Sequence, residues 1–185
     1  MKIKKKKLLH SFLMSKIYVD SSISFIDSSN FKFLLGHRLS LFSLINPFLL
    51  QYSLKTGFLF LESFVTKDYD FIFISDIKDS ILFNKFHQIC KKNKYSLLKI
   101  SETSSGFLTN KKISRTVVIT LFLDHEKTGL IQQESTLRNV PLISFNDFSA
   151  NRFSSSVFIG GNYTSFLVQN LILTLLSVCL ERKYE

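Results

Sequence analysis

The 185-residue chain predicts an α/β fold of three layers, in which helices cover both faces of a parallel sheet. Short, continuous apolar runs alternate with longer segments whose apolar residues recur at helical spacing, and strands buried on both faces give such runs. Hydrophobic residues make up 45% of the chain and charged residues 21%, which favours a folded core over disorder. Because strand–helix–strand crossovers are right-handed, the predicted sheet is doubly wound and Rossmann-like.

Five runs predict the strands of this sheet. The clearest covers 115–124, where β-branched and large apolar residues follow one another without interruption. The run at 70–76 is short, apolar and bounded by aspartates, as expected for a buried strand. The other strands are predicted over 95–100, 140–145 and 156–159.

Helices are predicted before, between and after these strands. The segments 56–67 and 77–93 carry apolar residues at helical spacing, and lysines at the end of the second complement its helix dipole. Segment 126–138 predicts a polar helix with few inward-facing residues. Segment 164–180 is apolar around most of its circumference, so this closing helix is expected to lie deep in the fold.

The composition divides the chain into two parts. Residues 1–29, a lysine run followed by a Ser/Asp-rich stretch, predict a basic N-terminal extension, and residues 30–185 predict a single α/β domain. At the start of the domain, Asn30 is expected to cap a short helix that Gly36 ends. The dipeptide Asn46-Pro47 is expected to mark a turn.

The net charge of +10 is concentrated in two segments. Residues 1–19 and residues 91–115 each carry a net charge of +6, and the rest of the chain is nearly neutral. Such segments favour a polyanionic partner, either a nucleic acid or an anionic membrane surface. Two solvated charge runs explain the same pattern equally well.

The sequence offers no convincing membrane span and excludes a disulfide-stapled scaffold. The best candidate span, 166–180, contains Gln169 and Asn170 and is shorter than the ~20 apolar residues that a bilayer requires. The two cysteines, Cys90 and Cys179, have no metal-ligand spacing and are expected to be reduced and partly buried.

Catalytic and nucleotide-binding patterns are weak. Asp76, Asp124 and Asp147 each follow a predicted strand and would meet at one sheet edge. Three acids there could hold a metal or act as general bases, but helix capping is the favoured role. The pair Gly160-Gly161 before the last helix suits an anion, but a tight turn explains it better. The four histidines form no ligand pattern. The sequence therefore predicts no enzyme, no metal and no cofactor.

Two other segments favour recognition of RNA. His37-Arg38 lies beside Gly36, and the polar, basic stretch from Thr109 to Lys112 follows Gly106, so hydrogen-bond donors stand next to flexible backbone. Donors of this kind suit contacts to phosphate and ribose, which position a protein on RNA without reading much sequence.

An ordered series of short motifs resembles the S-2 family of small-subunit ribosomal proteins. The resemblance spans roughly residues 30–180, and the G-x-L-T-N motif is its strongest part. In chain order, the matching residues are Leu35-Gly36-His37-Arg38, Asn46-Pro47, Leu54-Lys55-Thr56, Gly106-Phe107-Leu108-Thr109-Asn110, Asp124, Val140-Pro141, Asp147 and Ile159-Gly160-Gly161-Asn162.

The resemblance implies a flavodoxin-like sheet, no enzymatic activity and a position on small-subunit rRNA near the junction of head and body. Neighbouring ribosomal proteins would be partners, and mRNA would be reached only indirectly. Bacterial members have a long helical hairpin after the Thr-Asn pair, whereas this chain has only residues 111–114 there. This reduction, with a composition typical of an A/T-rich gene, resembles a mitochondrial member, located in the matrix on the mitochondrial ribosome.

The sequence thus predicts a structural, rRNA-binding constituent of the mitochondrial small ribosomal subunit. A nucleotide-binding or enzymatic Rossmann-like module that uses Asp76, Asp124 and Gly160-Gly161 is the alternative, and a peripheral membrane protein is a third class. The residues predicted to contact RNA are Lys4, Lys5, Lys6, Lys7, His37, Arg38, Asn46, Gly106, Thr109, Asn110, Lys111, Lys112 and Arg115.

Overall fold

The structure is a computed structural model that describes residues 16–20, 26–38, 42–110, 115–123 and 125–181. Helices and strands alternate along most of this length. In chain order the strands are β1 (Val19–Asp20), β2 (Leu34–Arg38), β3 (Phe42–Ile45), β4 (Asp70–Ser75), β5 (Ser96–Lys99), β6 (Thr116–Leu121), β7 (Leu142–Asn146) and β8 (Val157–Gly160). The α-helices are α1 (Pro47–Val65), α2 (Ser80–Lys92), α3 (His125–Leu137) and α4 (Phe166–Glu181). Short 3-10 helices cover Ser28–Phe33, Ile100–Glu102 and Arg152–Ser154.

A parallel sheet forms the centre of the fold, with the strand order β5-β4-β6-β7-β8. Numbered within this sheet alone, the order is 2-1-3-4-5, which is the flavodoxin-like, doubly wound order. The predicted α/β fold with helices on both faces is confirmed, and each of the five predicted strands is present. No helix among the described residues has the length and apolar character needed to cross a membrane.

The two faces of the sheet are covered differently. Helices α1, α2 and α4 pack on one face, where Phe71, Phe73 and Ile119 are fully buried. Helix α3 covers the other face together with the segment that follows β5, around Ile74 and Val118. This second layer also buries polar side chains, among them Asn146, so hydrogen bonds replace part of its apolar packing.

The region before the parallel sheet differs from the prediction. A short 3-10 helix is present at Ser28–Phe33, but its cap is Asp27 rather than the predicted Asn30. The predicted end at Gly36 is wrong, because β2 and β3 form an antiparallel hairpin there, with a bulge between Leu34 and Gly36. The expected turn at Asn46-Pro47 is the start of α1, since the Asn46 side chain accepts hydrogen bonds from the backbone N–H groups of Phe48 and Leu49.

Part of the segment predicted as an extension packs against the domain. Strand β1 pairs with β3, so that Val19 lies opposite Leu44. Ile17 is 1% exposed and belongs to the main core, and its carbonyl accepts a hydrogen bond from Asn162 N–H at 3.1 Å. Ordered packing on the domain therefore reaches back before residue 30.

Cys90, on the inner side of α2, supplies a test of this packing. It is 1% exposed, and burial raises the pKa of its thiol from 9.0 to about 12. Iodoacetamide at pH 8 is expected to leave Cys90 unmodified in the folded protein and to label it fully in urea, as read by mass spectrometry.

The same shift gives the expected pH dependence. The folded state holds the Cys90 proton more tightly than the unfolded state does. The stability that this difference contributes is therefore fully present below about pH 9 and is lost as the pH rises towards 12. The free energy of unfolding should fall across that range, and Cys90→Ala should reduce the slope of the fall. Rapid labelling of native Cys90 at pH 8 would contradict the packing described here.

Candidate nucleic-acid interface

All five parallel strands begin at the same edge of the sheet, here called the amino edge. The connections that lead into four neighbouring strands each place an exposed cation there: Lys94 before β5, Lys67 before β4, Arg115 before β6 and Arg138 before β7. Neighbouring strands are about 4.8 Å apart, so this line of cations follows the edge for about 14 Å.

Two further lysines, Lys91 and Lys92, extend this line from the last turn of α2. Both are exposed. Among the described residues, no carboxylate lies within ion-pair distance of these side chains, and the ion pair between Lys127 and Asp76 lies at the opposite edge. We call the six residues the amino-edge row, which consists of Lys67, Lys91, Lys92, Lys94, Arg115 and Arg138.

The backbone at the amino edge is unusual because left-handed φ values occur without glycine. The connections into β4, β5, β6 and β7 contain Asp68, Lys94, Arg115 and Asn139, with φ values between 52° and 61°. Glycine is the usual residue for this conformation at a helix end, and other residues adopt it at some energetic cost. At two of these left-handed positions, where glycine is common, the chain has a cationic residue instead: Lys94 and Arg115.

Hydrogen bonds fix these two turns. Lys94 follows α2, and the next residue, Tyr95, donates its N–H to the carbonyl of Cys90 at 2.9 Å. The carbonyl of Arg115 accepts the N–H of Asp70 at 3.0 Å, which ties the start of β6 to the start of β4. The cations consequently stand on ordered backbone.

The G-x-L-T-N motif forms a loop on the second face, held by a single carboxylate. The Glu134 carboxylate accepts the N–H of Gly106 at 2.6 Å and the N–H of Leu108 at 2.8 Å. Leu108 is 1% exposed, and Gly106 has φ of +84°, a value that favours glycine. Asn110 is exposed at the end of this loop. The predicted hydrogen-bonding residues Thr109 and Asn110 therefore directly precede residues 111–115 in the chain.

Other predicted contact residues lie elsewhere. His37 is exposed on the β2–β3 hairpin, which packs near the carboxyl ends of the strands through a contact between Phe33 and Phe148. The Asn46 side chain caps α1, and its carbonyl oxygen already accepts hydrogen bonds from the backbone of that helix. The structure therefore does not bring the hairpin together with the Gly106 loop and Arg115.

Several predicted residues fall outside the described structure. The predictions for Lys4, Lys5, Lys6, Lys7, Lys111 and Lys112 lie outside the described residues, as does the Asp124 prediction, and the side chain of Arg38 is not described.

The sequence interpretation missed most of the amino-edge row. Lys91, Lys92 and Lys94 were assigned in part to the helix dipole, and Lys67 and Arg138 were assigned no role. The signal was present, because each of these residues directly precedes a predicted strand or ends the helix before one. Only the parallel pairing of the strands places all of them at one edge.

The glycines before α4 are explained by close packing. A Cβ on Gly160 would lie 2.7 Å from Phe148 Cζ and 2.8 Å from Phe158 Cε1, and a Cβ on Gly161 would lie 2.9 Å from Ile17 Cγ1. Asn162 donates its side-chain N–H to the carbonyl of Val19 at 2.6 Å. Neighbouring side chains thus leave no room for a Cβ at either position, and this packing explains both glycines without a ligand.

The carboxylates at the carboxyl edge have structural partners. Asp76 pairs with Lys127, and the cap of α2 is Asp79, so the capping prediction for Asp76 is wrong. Asp147 accepts the N–H of Tyr163 at 3.2 Å, and burial followed by the Asp147 charge raises the pKa of that phenol. Within the described part of the chain, no group of three or more His, Cys, Asp or Glu side chains is placed to hold a metal.

Comparison with known proteins yields no family: no family model matches the chain, and no curated protein matches it significantly. The functional assignment consequently depends on the ordered motifs, the fold and the distribution of charge.

Proposed function

We propose that the chain is a structural RNA-binding protein of the mitochondrial small ribosomal subunit. The observation that carries the proposal is the amino-edge row, in which four neighbouring strand starts and the end of α2 present exposed cations on ordered backbone. A phosphate backbone is a regular line of negative charge, and rows of lysine and arginine bind it by releasing its counterions.

The Gly106 loop supports the same proposal. It is fixed by Glu134, and it ends in Asn110 immediately before the segment that leads to Arg115. The side chains of Thr109 and Asn110 supply neutral donors and acceptors beside the cations, which is the combination that ribose and phosphate groups require.

The alternative, a nucleotide-binding or enzymatic module, has less support. The close packing of Phe148 on Gly160 and of Ile17 on Gly161 explains both glycines of its expected phosphate site without a ligand. These contacts favour a scaffold that binds RNA through its surface.

Exposed apolar residues suit an assembled protein. Phe48 and Tyr52 on α1 are 71% and 67% exposed, and Phe42 and Leu44 are exposed on the neighbouring β3. Apolar residues grouped on a surface mark contact sites in many proteins. In this proposal, neighbouring small-subunit proteins cover them.

Neutralising part of the amino-edge row should weaken RNA binding. The triple change Lys92→Gln, Lys94→Gln and Arg115→Gln is expected to reduce affinity for single-stranded RNA about tenfold at 150 mM salt. The slope of log affinity against log salt should fall by about 2, because each lost phosphate contact contributes about 0.7. Fluorescence anisotropy over a salt series measures both quantities.

A matched control removes the same charge elsewhere. Lys55, Lys78 and Lys85 are exposed and lie away from the amino edge, so their triple change to Gln should alter affinity and slope much less. If both triple variants lost the same affinity for RNA, net charge alone, and not the amino-edge row, would account for RNA binding. Sedimentation tests the ribosomal assignment: the native protein should migrate with small ribosomal subunits, and ribonuclease should release it.

A further inference from the structure

A cavity of about 340 Å³ opens at the carboxyl ends of β4 and β5, against α3 and the segment that follows β5. Ile74, Leu108 and Ile131 line it and are buried, whereas Phe107 and Leu130 line it and are partly or largely exposed. Its charged residues are Asp76, Lys127 and Glu134, of which Glu134 already accepts the N–H groups of Gly106 and Leu108. Its hydroxyl groups are those of Ser101, Thr103, Ser104 and Ser105. The volume is close to the lower limit for small-molecule sites.

The cavity lies beside the point where the chain leaves neighbouring strands in opposite directions. After β4 the chain continues to α2 on one face, and after β6 it continues to α3 on the other. Ligands of open α/β sheets bind in the crevice that this divergence creates. The position therefore suits a ligand independently of the cavity's own chemistry.

Buried hydrogen bonds fix the backbone beside the cavity where α3 begins. Asn146 is fully buried, accepts the N–H of Leu123 at 3.2 Å and donates to the Thr128 hydroxyl at 3.2 Å. Thr128 adjoins Lys127, so this network fixes the backbone at the start of α3 from which the Lys127 side chain extends. Phe122, in the same turn, has a left-handed φ of 60°, which costs energy in a large residue.

The charged pair defines a hydrogen-bonding pattern. Lys127 Nζ lies 3.4 Å from Asp76 Oδ2, and the two side chains are 44% and 23% exposed, so both can be reached from solvent. An ammonium beside a carboxylate offers one donor followed by two acceptors. The Watson–Crick edge of guanine presents the complementary order, with the O6 acceptor followed by the N1–H and N2–H donors, whereas the other bases match two of these groups at most.

We propose that this cavity binds a single unpaired guanine base of the RNA. The purine ring lies against Phe107 and the apolar floor, Asp76 accepts the N1–H and N2–H groups, and Lys127 donates to O6. Unpaired bases of RNA are commonly read in this way, by stacking on an aromatic side chain and bonding to the Watson–Crick edge.

This inference rests on the proposed RNA-binding function and adds base recognition to it. The segment that lines the cavity through Phe107 and Leu108 continues to Asn110 and then to Arg115. In this proposal one strand of RNA crosses from the amino-edge row to the cavity at the opposite edge of the sheet.

The test compares two single-stranded RNA octamers in fluorescence anisotropy, one of uridines with a central guanosine and one with a central adenosine. The full chain should bind the guanosine octamer about tenfold more tightly, which is the discrimination typical of a bidentate base contact. The affinity of each octamer should fall with salt while their ratio stays nearly constant.

Variants locate the preference in the cavity. Asp76→Asn replaces an acceptor by a donor and should abolish the guanosine preference, and Leu130→Trp should do the same by filling the cavity. The control Asp79→Asn makes the same charge change three residues away and keeps a good helix cap, so the preference should persist.

The outcomes separate the two proposals. Salt-dependent binding with equal affinity for the two octamers would overturn the guanine site and leave the RNA-binding function intact. A guanosine preference that survives both cavity variants would also overturn it. If neither octamer binds at low salt, the proposed function and the guanine site both fail.

Discussion

Replacing Gly160 by alanine is expected to lower the free energy of unfolding by about 3 kcal/mol. Gly160 is buried at the end of β8, and the added Cβ would overlap the rings of Phe148 and Phe158. Rings packed on several sides move little, and overpacking of this kind costs about 1–3 kcal/mol. Urea denaturation followed by circular dichroism measures the change.

A second glycine supplies the control. Gly129 lies in α3, where a Cβ would meet nothing within 4 Å. Gly129→Ala should raise stability by about 1 kcal/mol, because alanine loses less backbone entropy in a helix. If Gly160→Ala kept wild-type stability, the packing explanation of the Gly160-Gly161 turn would be wrong and the anion-binding interpretation would regain support.

Replacing Glu134 by alanine is expected to cost about 3 kcal/mol and to loosen the Gly106 loop. The carboxylate accepts two backbone N–H groups, from Gly106 and Leu108, and hydrogen bonds to a charged group contribute about 1.5–3 kcal/mol each. Hydrogen exchange at these two amides should accelerate strongly, and affinity for RNA should fall because Thr109 and Asn110 lose their fixed position.

Two further variants separate this effect from the loss of a charge. Glu102→Ala removes an exposed carboxylate that makes one weaker contact, to Lys99 N–H at 3.2 Å, and should change stability by less than about 1 kcal/mol. Glu134→Gln keeps one acceptor and should lose about half as much stability as Glu134→Ala. Unchanged exchange at Gly106 in Glu134→Ala would disprove the anchoring role.

The pattern of apolar residues was sufficient to predict the parallel sheet. Strand β6 and most of β4 are buried on both faces, so their hydrophobicity is continuous and appears directly in the sequence. Helix α4 was predicted for the same reason, since a nearly all-round apolar surface requires burial. Local composition and burial agree in these elements.

The hairpin of β2 and β3 could not be predicted in this way. Its residues 34–38 and 42–45 are short and partly exposed, and the pairing with β1 brings together segments more than twenty residues apart. Apolar residues at 31, 33, 34 and 35 fit a helix equally well by spacing. Long-range pairing decided the structure there, because the local signal was ambiguous.

The sequence by itself determined the fold class, the alternation of strands and helices along the chain, the excess of positive charge and the polar loop around Gly106. Only the tertiary structure decided which cations act together, since Lys67, Lys94, Arg115 and Arg138 become neighbours through parallel pairing alone. It also brought Asp76 and Lys127 together across a cavity, fifty-one residues apart. The physical reason is that charge is a property of single residues, whereas a surface or a cavity depends on distances that the folded backbone sets.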